Sequence, residues 1–183
     1  MKSRPKFYFV GGAKGTGKTL VTSAACLELN LKRVETGKIV RDYLSRGLNI
    51  PYRDHIAHCL MEEEQDTLID THYAPFPCLE REKKTAFSRG LEKEHLEKLA
   101  AKYDIKLCLF YLESDELLKR RIGDSKKRIT TKDLVSDELI FNEMAAKIYS
   151  QELKTPIFYL RNDERISSKE RLLEWITTHS QTI

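Results

Sequence analysis

Long apolar segments are missing from this sequence: no run approaches the ~20 residues that a helix needs to cross a bilayer. Behind the basic N-terminus, the apolar residues 7–10 are too few for a signal peptide. Internal repeats and disordered linkers are missing as well. The 183 residues are 40% hydrophobic and 33% charged. They predict one globular domain, residues 1–183, in the cytoplasm.

Cysteine is sparse, and no C-x-x-C pair occurs. The cysteines are Cys26, Cys59, Cys78 and Cys108. This scatter is typical neither of a zinc site nor of a disulfide framework, so we expect reduced thiols, most simply in the core. His55, His58 and Cys59 could present metal ligands on one face of a helix. No fourth ligand is in view, and a half-buried helix surface is the simpler interpretation.

Neither sign of charge dominates. The net charge is +4, and acidic and basic residues are interleaved in segments such as 80–84 and 92–98. Such segments are typical of solvated helix faces. The composition therefore does not require binding to nucleic acid, and it is compatible with a basic patch that meets a phosphorylated substrate.

A glycine-rich segment follows the apolar residues 7–10. Residues 12–19, GAKGTGKT, match the phosphate-loop pattern G-x-x-x-x-G-K-[ST], with a strand expected before them and a helix after them. The glycines let backbone N–H groups wrap around phosphate oxygens without a Cβ in the way. The positive end of the helix dipole points at the same anion. The alternative is a glycine-rich turn with an accidental Lys-Thr.

The predicted ATP-binding residues of this segment are Gly12, Ala13, Lys14, Gly15, Thr16, Gly17, Lys18, Thr19 and Leu20. Lys18 would reach the β- and γ-phosphates, and Thr19 would place its hydroxyl on Mg²⁺.

A carboxylate lies in the short apolar stretch TLIDT, residues 67–71. Ligands of open α/β sheets bind at the carboxyl ends of the strands, where Asp70 would lie. We therefore expect Asp70 to hold the water shell of the Mg²⁺ ion that Thr19 contacts. An aspartate that caps a turn at the end of a strand is the alternative.

Apolar patterns and breakers predict alternating strands and helices. The expected strands cover residues 7–10, 33–35, 67–71, 105–112 and 156–160. The expected helices cover residues 20–29, 37–47, 53–64, 91–103, 114–122, 133–152 and 167–179. Thr36 is expected to cap the second helix, and Ser167 or Ser168 the last one. This alternation predicts a three-layer α/β/α domain around a parallel sheet.

Residues 124–132, DSKKRITTK, are polar and basic and lack a periodic apolar face. Crowding Lys126, Lys127 and Arg128 together is costly unless an anion or solvent accepts them. One interpretation is a lid that closes over phosphates and excludes water, which competes with the intended acceptor. A solvated loop is the other.

Five segments resemble the adenylate kinase family in their order and context: GAKGTGKT, TGKIVR, LIDTH, LLKRRIGD and NEMAAKIY. LIDTH is similar to archaeal-type adenylate kinases and to the related eukaryotic adenylate kinase/ATPase of ribosome assembly. This resemblance implies a P-loop NTPase fold with a five-stranded parallel sheet. It also implies a short insertion that binds a nucleoside monophosphate (NMP), residues 37–66, and a lid, residues 123–133.

The activity that the resemblance implies is transfer of the γ-phosphoryl group of Mg-ATP to an NMP, with AMP as the favoured acceptor. Such transfer depends mainly on positioning and charge stabilisation. The implied catalytic residues are Lys18, Arg41 on the acceptor phosphate, Arg121 stacked on the adenine of ATP, and Arg128 from the lid. The implied NMP-binding residues are Thr36, Gly37, Arg41, Asp70 and His72.

Three features depart from the family pattern. The segment between Arg41 and Asp70 is short, no arginine follows LIDTH, and Glu143 stands where archaeal-type members can place an arginine. Two alternatives therefore stay open: an ATPase whose hydrolysis times a partner interaction, and a kinase for another small acceptor. A GTPase switch is disfavoured, because the sequence has no N-K-x-D motif and no D-x-x-G after Asp70.

Overall fold

The structure, a computed structural model, describes residues 3–75, 87–124 and 131–180. The strands are β1 Lys6–Gly11, β2 Lys32–Glu35, β3 Thr67–Asp70, β4 Asp104–Tyr111 and β5 Ile157–Arg161. The helices within these ranges are α1 Lys18–Leu29, α2 Thr36–Arg46, α3 Tyr52–Met61, α4 Lys93–Lys102, α5 Ser114–Ile122, α6 Lys132–Leu153 and α7 Arg165–Ser180.

Strand β1 lies at the centre of the sheet. The strand order is β2-β3-β1-β4-β5, and every pairing is parallel. All six residues of β1 are buried, as expected of a strand that helices cover on both faces. After β1 the chain builds one side of the sheet and then the other, so the strand order reverses at β1. Such a switch point leaves a crevice for a ligand at the carboxyl ends of the strands.

Alternate residues of β1 face two separate cores. Phe7 and Phe9 pack on one side of the sheet with apolar residues of α3, α4 and α6. Tyr8 and Val10 pack on the other side with apolar residues of α1 and α7. The expected three-layer α/β/α fold with a five-stranded parallel sheet is therefore confirmed. None of the described helices combines the length and the apolarity that a membrane crossing requires.

Two of the expected helix caps are wrong. Thr36 is the first residue of α2 and Glu35 precedes the helix, because the Thr36 hydroxyl bonds instead to the Thr71 hydroxyl at 3.0 Å. Helix α7 begins at Arg165, so Ser167 and Ser168 lie inside it rather than at its cap. The Ser168 hydroxyl donates to the carbonyl of Arg161, at the end of β5.

Helix α3 also ends earlier than expected, at Met61. The buried hydroxyl of Tyr103 lies within hydrogen-bond distance of the carbonyl oxygens of both Leu60 and Glu63. These contacts hold the chain in a turn where the helix was expected to continue. The expected NMP-binding insertion, residues 37–66, thus contains two short helices, α2 and α3, that contact each other. Residues 125–130, most of the expected lid, lie outside the described ranges.

Candidate active site

The glycine-rich loop after β1 has the backbone that a phosphate cradle requires. Gly12, Gly15 and Gly17 all have positive φ, at 141°, 86° and 87°. A Cβ at Gly12 would overlap the carbonyl oxygen of Phe110, and one at Gly17 would overlap the side-chain amide of Asn162. Side chains are therefore excluded at these two positions both by conformation and by space.

Helix α1 leaves the loop with its N-terminal end open to an anion. Gly17 is the N-cap residue, no side chain caps the helix, and the first turn has no acidic residue. Thr19 and Leu20, in that first turn, are exposed. The partial positive charge of the helix N-terminus is thus not neutralised by its own residues, which favours a bound phosphate.

The Lys18 side chain folds back over the loop. Its ammonium donates to the carbonyl oxygens of Gly12 at 2.6 Å and Ala13 at 3.0 Å, and the residue is only 5% exposed. A buried ammonium needs such partners, since an uncompensated charge is expensive to bury. Lys18 is therefore held at the mouth of the cradle.

Asp70 lies at the carboxyl end of β3, in register with Val10 of β1 and Glu35 of β2. Its Oδ2 atom accepts a hydrogen bond from Arg33 at 2.5 Å and a longer one, at 3.3 Å, from the Thr22 hydroxyl. Asp70 does not line the cavity described below. Arg33 is a site residue that the sequence prediction missed.

Arg33 also pairs with Glu35 at 2.9 Å, and Glu35 receives a second ion pair from Lys38 at 2.7 Å. The hydrogen bond from Lys38 lowers the pKa of Glu35, although partial burial opposes this effect. Two carboxylates on neighbouring strands are thus bridged by one guanidinium at the edge of the cradle.

The oxygen atoms at this edge fit Mg²⁺, which prefers oxygen ligands and keeps several of its waters. Thr19 offers an exposed hydroxyl, and Asp70 offers a carboxylate of which one oxygen is engaged by Arg33. This arrangement suits Asp70 for holding metal-bound water rather than for direct ligation. In the described part of the chain, no group of three or more His, Cys, Asp or Glu side chains forms a metal centre.

A buried ion pair forms hydrogen bonds with the backbone of the loop at Lys14. The Lys14 N–H donates to Glu138 Oε1 at 2.6 Å, and the Lys14 carbonyl accepts from Arg121 at 2.5 and 3.0 Å. Arg121 and Glu138 are themselves 2.6 Å apart, with side chains only 2% and 3% exposed. Arg121 of α5 and Glu138 of α6 are thus joined at the same loop residue.

The structure gives Arg121 a structural role, and the role expected for it in binding ATP stays a prediction. With its side chain 2% exposed and its donors directed to Lys14 and Glu138, Arg121 presents no open face on which adenine could stack in this structure. The stacking role was implied by family resemblance, which does not encode the distant partner Glu138. Arg121 supports the glycine-rich loop through the carbonyl of Lys14.

Asn162, just after β5, also binds the backbone of the loop. Its side-chain amide donates to the Thr16 carbonyl at 2.5 Å, and the residue is fully buried. Arg120 contacts the same segment through the carbonyl oxygens of Asn162 and Asp163. The strand-end rule that selected Asp70 would have selected Asn162 as well. No local signal in the sequence marks Glu138.

A cavity of about 240 Å³ opens beside the loop, between β1 and the helices α2 and α3. Its polar lining residues include Lys14, Thr36, Arg41, Thr71 and His72, and Gly37 also contributes. Its apolar lining residues are Phe9, Val40, Tyr52, Ile56, Pro75, Leu91 and Tyr149. The structure therefore brings together Thr36, Gly37, Arg41 and His72, four of the five predicted NMP-binding residues.

His72 connects this cavity to the cradle, because its Nδ1 lies 2.7 Å from the carbonyl oxygen of Gly12. A carbonyl can only accept, so Nδ1 carries the proton in this contact. His72 follows β3 by two residues, and the resemblance to LIDTH was the signal that selected it.

Three further residues of the sequence analysis complete this description. Arg128, the expected lid arginine, lies outside the described residues, as does Cys78. Glu143 forms an exposed ion pair with Lys147 on α6, at 2.7 Å.

Solved structures that resemble this chain include small kinases. Shikimate kinase from Bacteroides thetaiotaomicron matches with a TM-score of 0.60 and 17% identity, over 96% of this chain and 99% of that one. Shikimate kinase from Acinetobacter baumannii, in complex with shikimate, matches with a TM-score of 0.60 and 13% identity, over 98% and 97%. A gluconokinase from Sinorhizobium meliloti matches with a TM-score of 0.51 and 13% identity, over 98% of this chain and 100% of that one. This chain has a P-loop kinase fold.

The sequence itself matches no protein-family model and no curated protein. At the identities given above, structural likeness establishes the fold and leaves the acceptor undetermined. The comparisons therefore support the P-loop kinase fold that the resemblance implied, and they do not support membership of the adenylate kinase family.

Proposed function

We propose that this protein is an ATP-dependent phosphotransferase that phosphorylates a small anionic acceptor. One observation carries this proposal: the cradle and the cavity share a wall. Lys14 belongs to the phosphate loop and lines the cavity, and His72 lines the cavity and contacts the loop at Gly12. A triphosphate in the cradle and an acceptor in the cavity would thus be neighbours, as phosphoryl transfer requires.

The lining of the cavity indicates the chemistry of the acceptor. Lys14 and Arg41 supply two positive charges, and none of the described residues that line the cavity is acidic. An acceptor with a carboxylate or phosphate group fits this charge. The volume of about 240 Å³ is below the ~300–1,000 Å³ of pockets for drug-sized ligands, which favours a compact acceptor.

In the proposed reaction an acceptor oxygen attacks the γ-phosphorus of ATP. A new P–O bond forms, the bond from the γ-phosphorus to the β–γ bridging oxygen breaks, and the electron pair leaves with ADP. A hydroxyl acceptor releases its proton to water, whereas an ionised phosphate acceptor has none to lose. Lys18 and the N-terminus of α1 stabilise the negative charge on the transferring group.

Thr19 and Asp70 are the residues that would hold Mg²⁺, the first by its hydroxyl and the second through water. The ion, when bound with ATP, supplies further neutralisation of phosphate charge.

A hydroxy acid is the first class of acceptor to test, because the similar structures include a shikimate kinase with shikimate and a gluconokinase. AMP is the second class. It is favoured by one observation, that Thr36, Gly37 and Arg41, which resemble the AMP-binding element of adenylate kinases, all line the cavity.

The deciding experiment measures ADP formation from Mg-ATP in a coupled assay. Shikimate, gluconate, AMP and the other NMPs are each added in turn, beside a control with ATP alone. We expect one compound to accelerate ADP formation and to appear phosphorylated by mass spectrometry. ADP formed equally fast without any acceptor would favour the ATPase alternative and refute the kinase proposal.

A substitution links that activity to the cradle. Lys18→Met is expected to lower kcat by about 10²- to 10³-fold, since it removes a preorganised charge at the transferring group. Lys147→Met is the matched control, because it removes the same charge from an exposed pair on α6. Equal rates for the two variants would contradict the role assigned to Lys18.

A further inference from the structure

Lys14 occupies a position in the phosphate loop where sequence reasoning assigns it to ATP. In the structure, the backbone of Lys14 bonds to other residues of the protein. The N–H donates to Glu138 and the carbonyl accepts from Arg121, so both polar groups of the Lys14 backbone are engaged by the buried ion pair. A contact of Lys14 with a ligand would therefore be made by its side chain rather than by its backbone.

Lys14 is one of the residues that line the cavity, together with Arg41 of α2. The two cationic residues come from different segments, one from the loop that would hold ATP and one from the first helix of residues 37–66. Two positive charges close to one anion stabilise it more than either does alone, and the weakly polar wall of the cavity strengthens the effect.

We propose that Lys14 is an acceptor-binding residue that selects an anionic group, and that the Arg121–Glu138 ion pair positions it for this task. This inference rests on the proposed phosphotransferase function. Because Lys14 belongs to the transfer loop, an anion held by its ammonium is fixed relative to the γ-phosphoryl group. Lys14 thus couples the choice of acceptor to the alignment of the reaction.

Direct binding tests this inference without turnover. Titration calorimetry measures the dissociation constants of shikimate, gluconate, AMP and ATP for the wild-type chain, Lys14→Met, Lys14→Arg and the control Lys147→Met. We expect Lys14→Met to weaken binding of the acceptor by about 10- to 100-fold, the usual loss for a hydrogen bond to a charged group. Binding of ATP should change less than the acceptor, and Lys14→Arg should restore part of the loss.

Steady-state kinetics of the same variants adds a second reading. Lys14→Met should raise the KM of the acceptor while the KM of ATP stays near its wild-type value, because the ATP contacts of the loop are retained. A rise in the KM of ATP with an unchanged acceptor KM would overturn the inference and return Lys14 to the ATP site.

The remaining outcomes separate this inference from the proposed function. Acceptor binding that depends on Lys14, without any phosphoryl transfer, would refute the function and leave the binding role of Lys14 standing. Failure of the wild-type chain to bind any of the three acceptors would refute the binding role itself. Glu138→Gln tests the positioning step: it should weaken acceptor binding less than Lys14→Met, and unchanged binding would show that the ion pair does not position Lys14.

Discussion

Removal of one partner from the Arg121–Glu138 pair is expected to destabilise the fold strongly. Both side chains are almost fully buried, at 2% and 3% exposure, and lie 2.6 Å apart. Arg121→Met leaves the Glu138 carboxylate buried without its counter-charge, and Glu138→Leu does the same to the guanidinium. Breaking a buried pair in this way costs about 3–5 kcal/mol, a large part of the ~5–15 kcal/mol that stabilises a typical domain.

The double variant, Arg121→Met with Glu138→Leu, leaves no buried charge behind. It still deprives the Lys14 N–H and carbonyl of these partners, at about 1–3 kcal/mol for each group that stays unsatisfied. We therefore expect the double variant to lose less stability than the two single variants together. The difference, the coupling energy, should fall at the upper end of the ~0.5–3 kcal/mol seen for residues in contact.

Equilibrium urea unfolding gives these free energies, and the single tryptophan of the chain, the buried Trp175, reports the transition by its fluorescence. Lys147→Met, which disrupts an exposed pair, should cost less than about 1 kcal/mol. Losses of stability in the double variant that equal the sum of the single losses would refute the argument, because two uncoupled residues add.

Three further predictions use other parts of the structure. Gly17→Ala should abolish ATP binding in a calorimetric titration, because Gly17 has a positive φ and a Cβ there would overlap Asn162. Gly47→Ala is the control: Gly47 also has a positive φ but has open space around it, so this variant should lose only about 1–2 kcal/mol of stability and should still bind ATP. Cys26, whose thiol pKa burial raises to about 11, should resist iodoacetamide at pH 8 until urea unfolds the chain; rapid labelling in the folded state would contradict this burial. Because the hydrogen bond from Lys38 lowers the pKa of Glu35 from its ordinary 4.5, their pair should stabilise the fold above that pH and lose its effect as pH falls through the lowered value. The free energies of unfolding of wild type and Lys38→Met, measured with urea, should therefore differ by less than about 1 kcal/mol at pH 7 and converge in acid. A difference that does not shrink as the pH falls would exclude this ion pair as its cause.

The phosphate loop could be predicted from the sequence because its requirements are local. Glycines that allow positive φ, a lysine and a helix start all lie within residues 12–19, and the structure has them as expected. The position of Asp70 could also be predicted, since a parallel sheet brings the carboxyl ends of its strands to one edge. Its register with Val10 follows that rule.

The partners of these residues could not be predicted in the same way. Arg33 reaches Asp70 across 37 positions of sequence, and Glu138 reaches Lys14 across 124. Such contacts depend on how helices pack against the sheet, which neither periodicity nor a short motif encodes. The partner of Arg121 was missed for the same reason: the segment LLKRRIGD shows a cationic helix end and does not show the carboxylate that meets it, and the role implied for Arg121 in binding ATP stays a prediction.

The Arg121–Glu138 pair joins helices α5 and α6 at one residue of the glycine-rich loop. Helix α5 ends shortly before residues 125–130, and α6 begins shortly after them, so the helices on both sides of that basic segment are joined at one residue of the phosphate loop. The same residue, Lys14, lines the acceptor cavity. A displacement of either helix would therefore move the glycine-rich loop and one wall of the cavity at the same time. In the proposed phosphotransferase, this arrangement would let one element align both substrates, a role that an apolar contact between α5 and α6 would not provide because it would not bond to the Lys14 backbone.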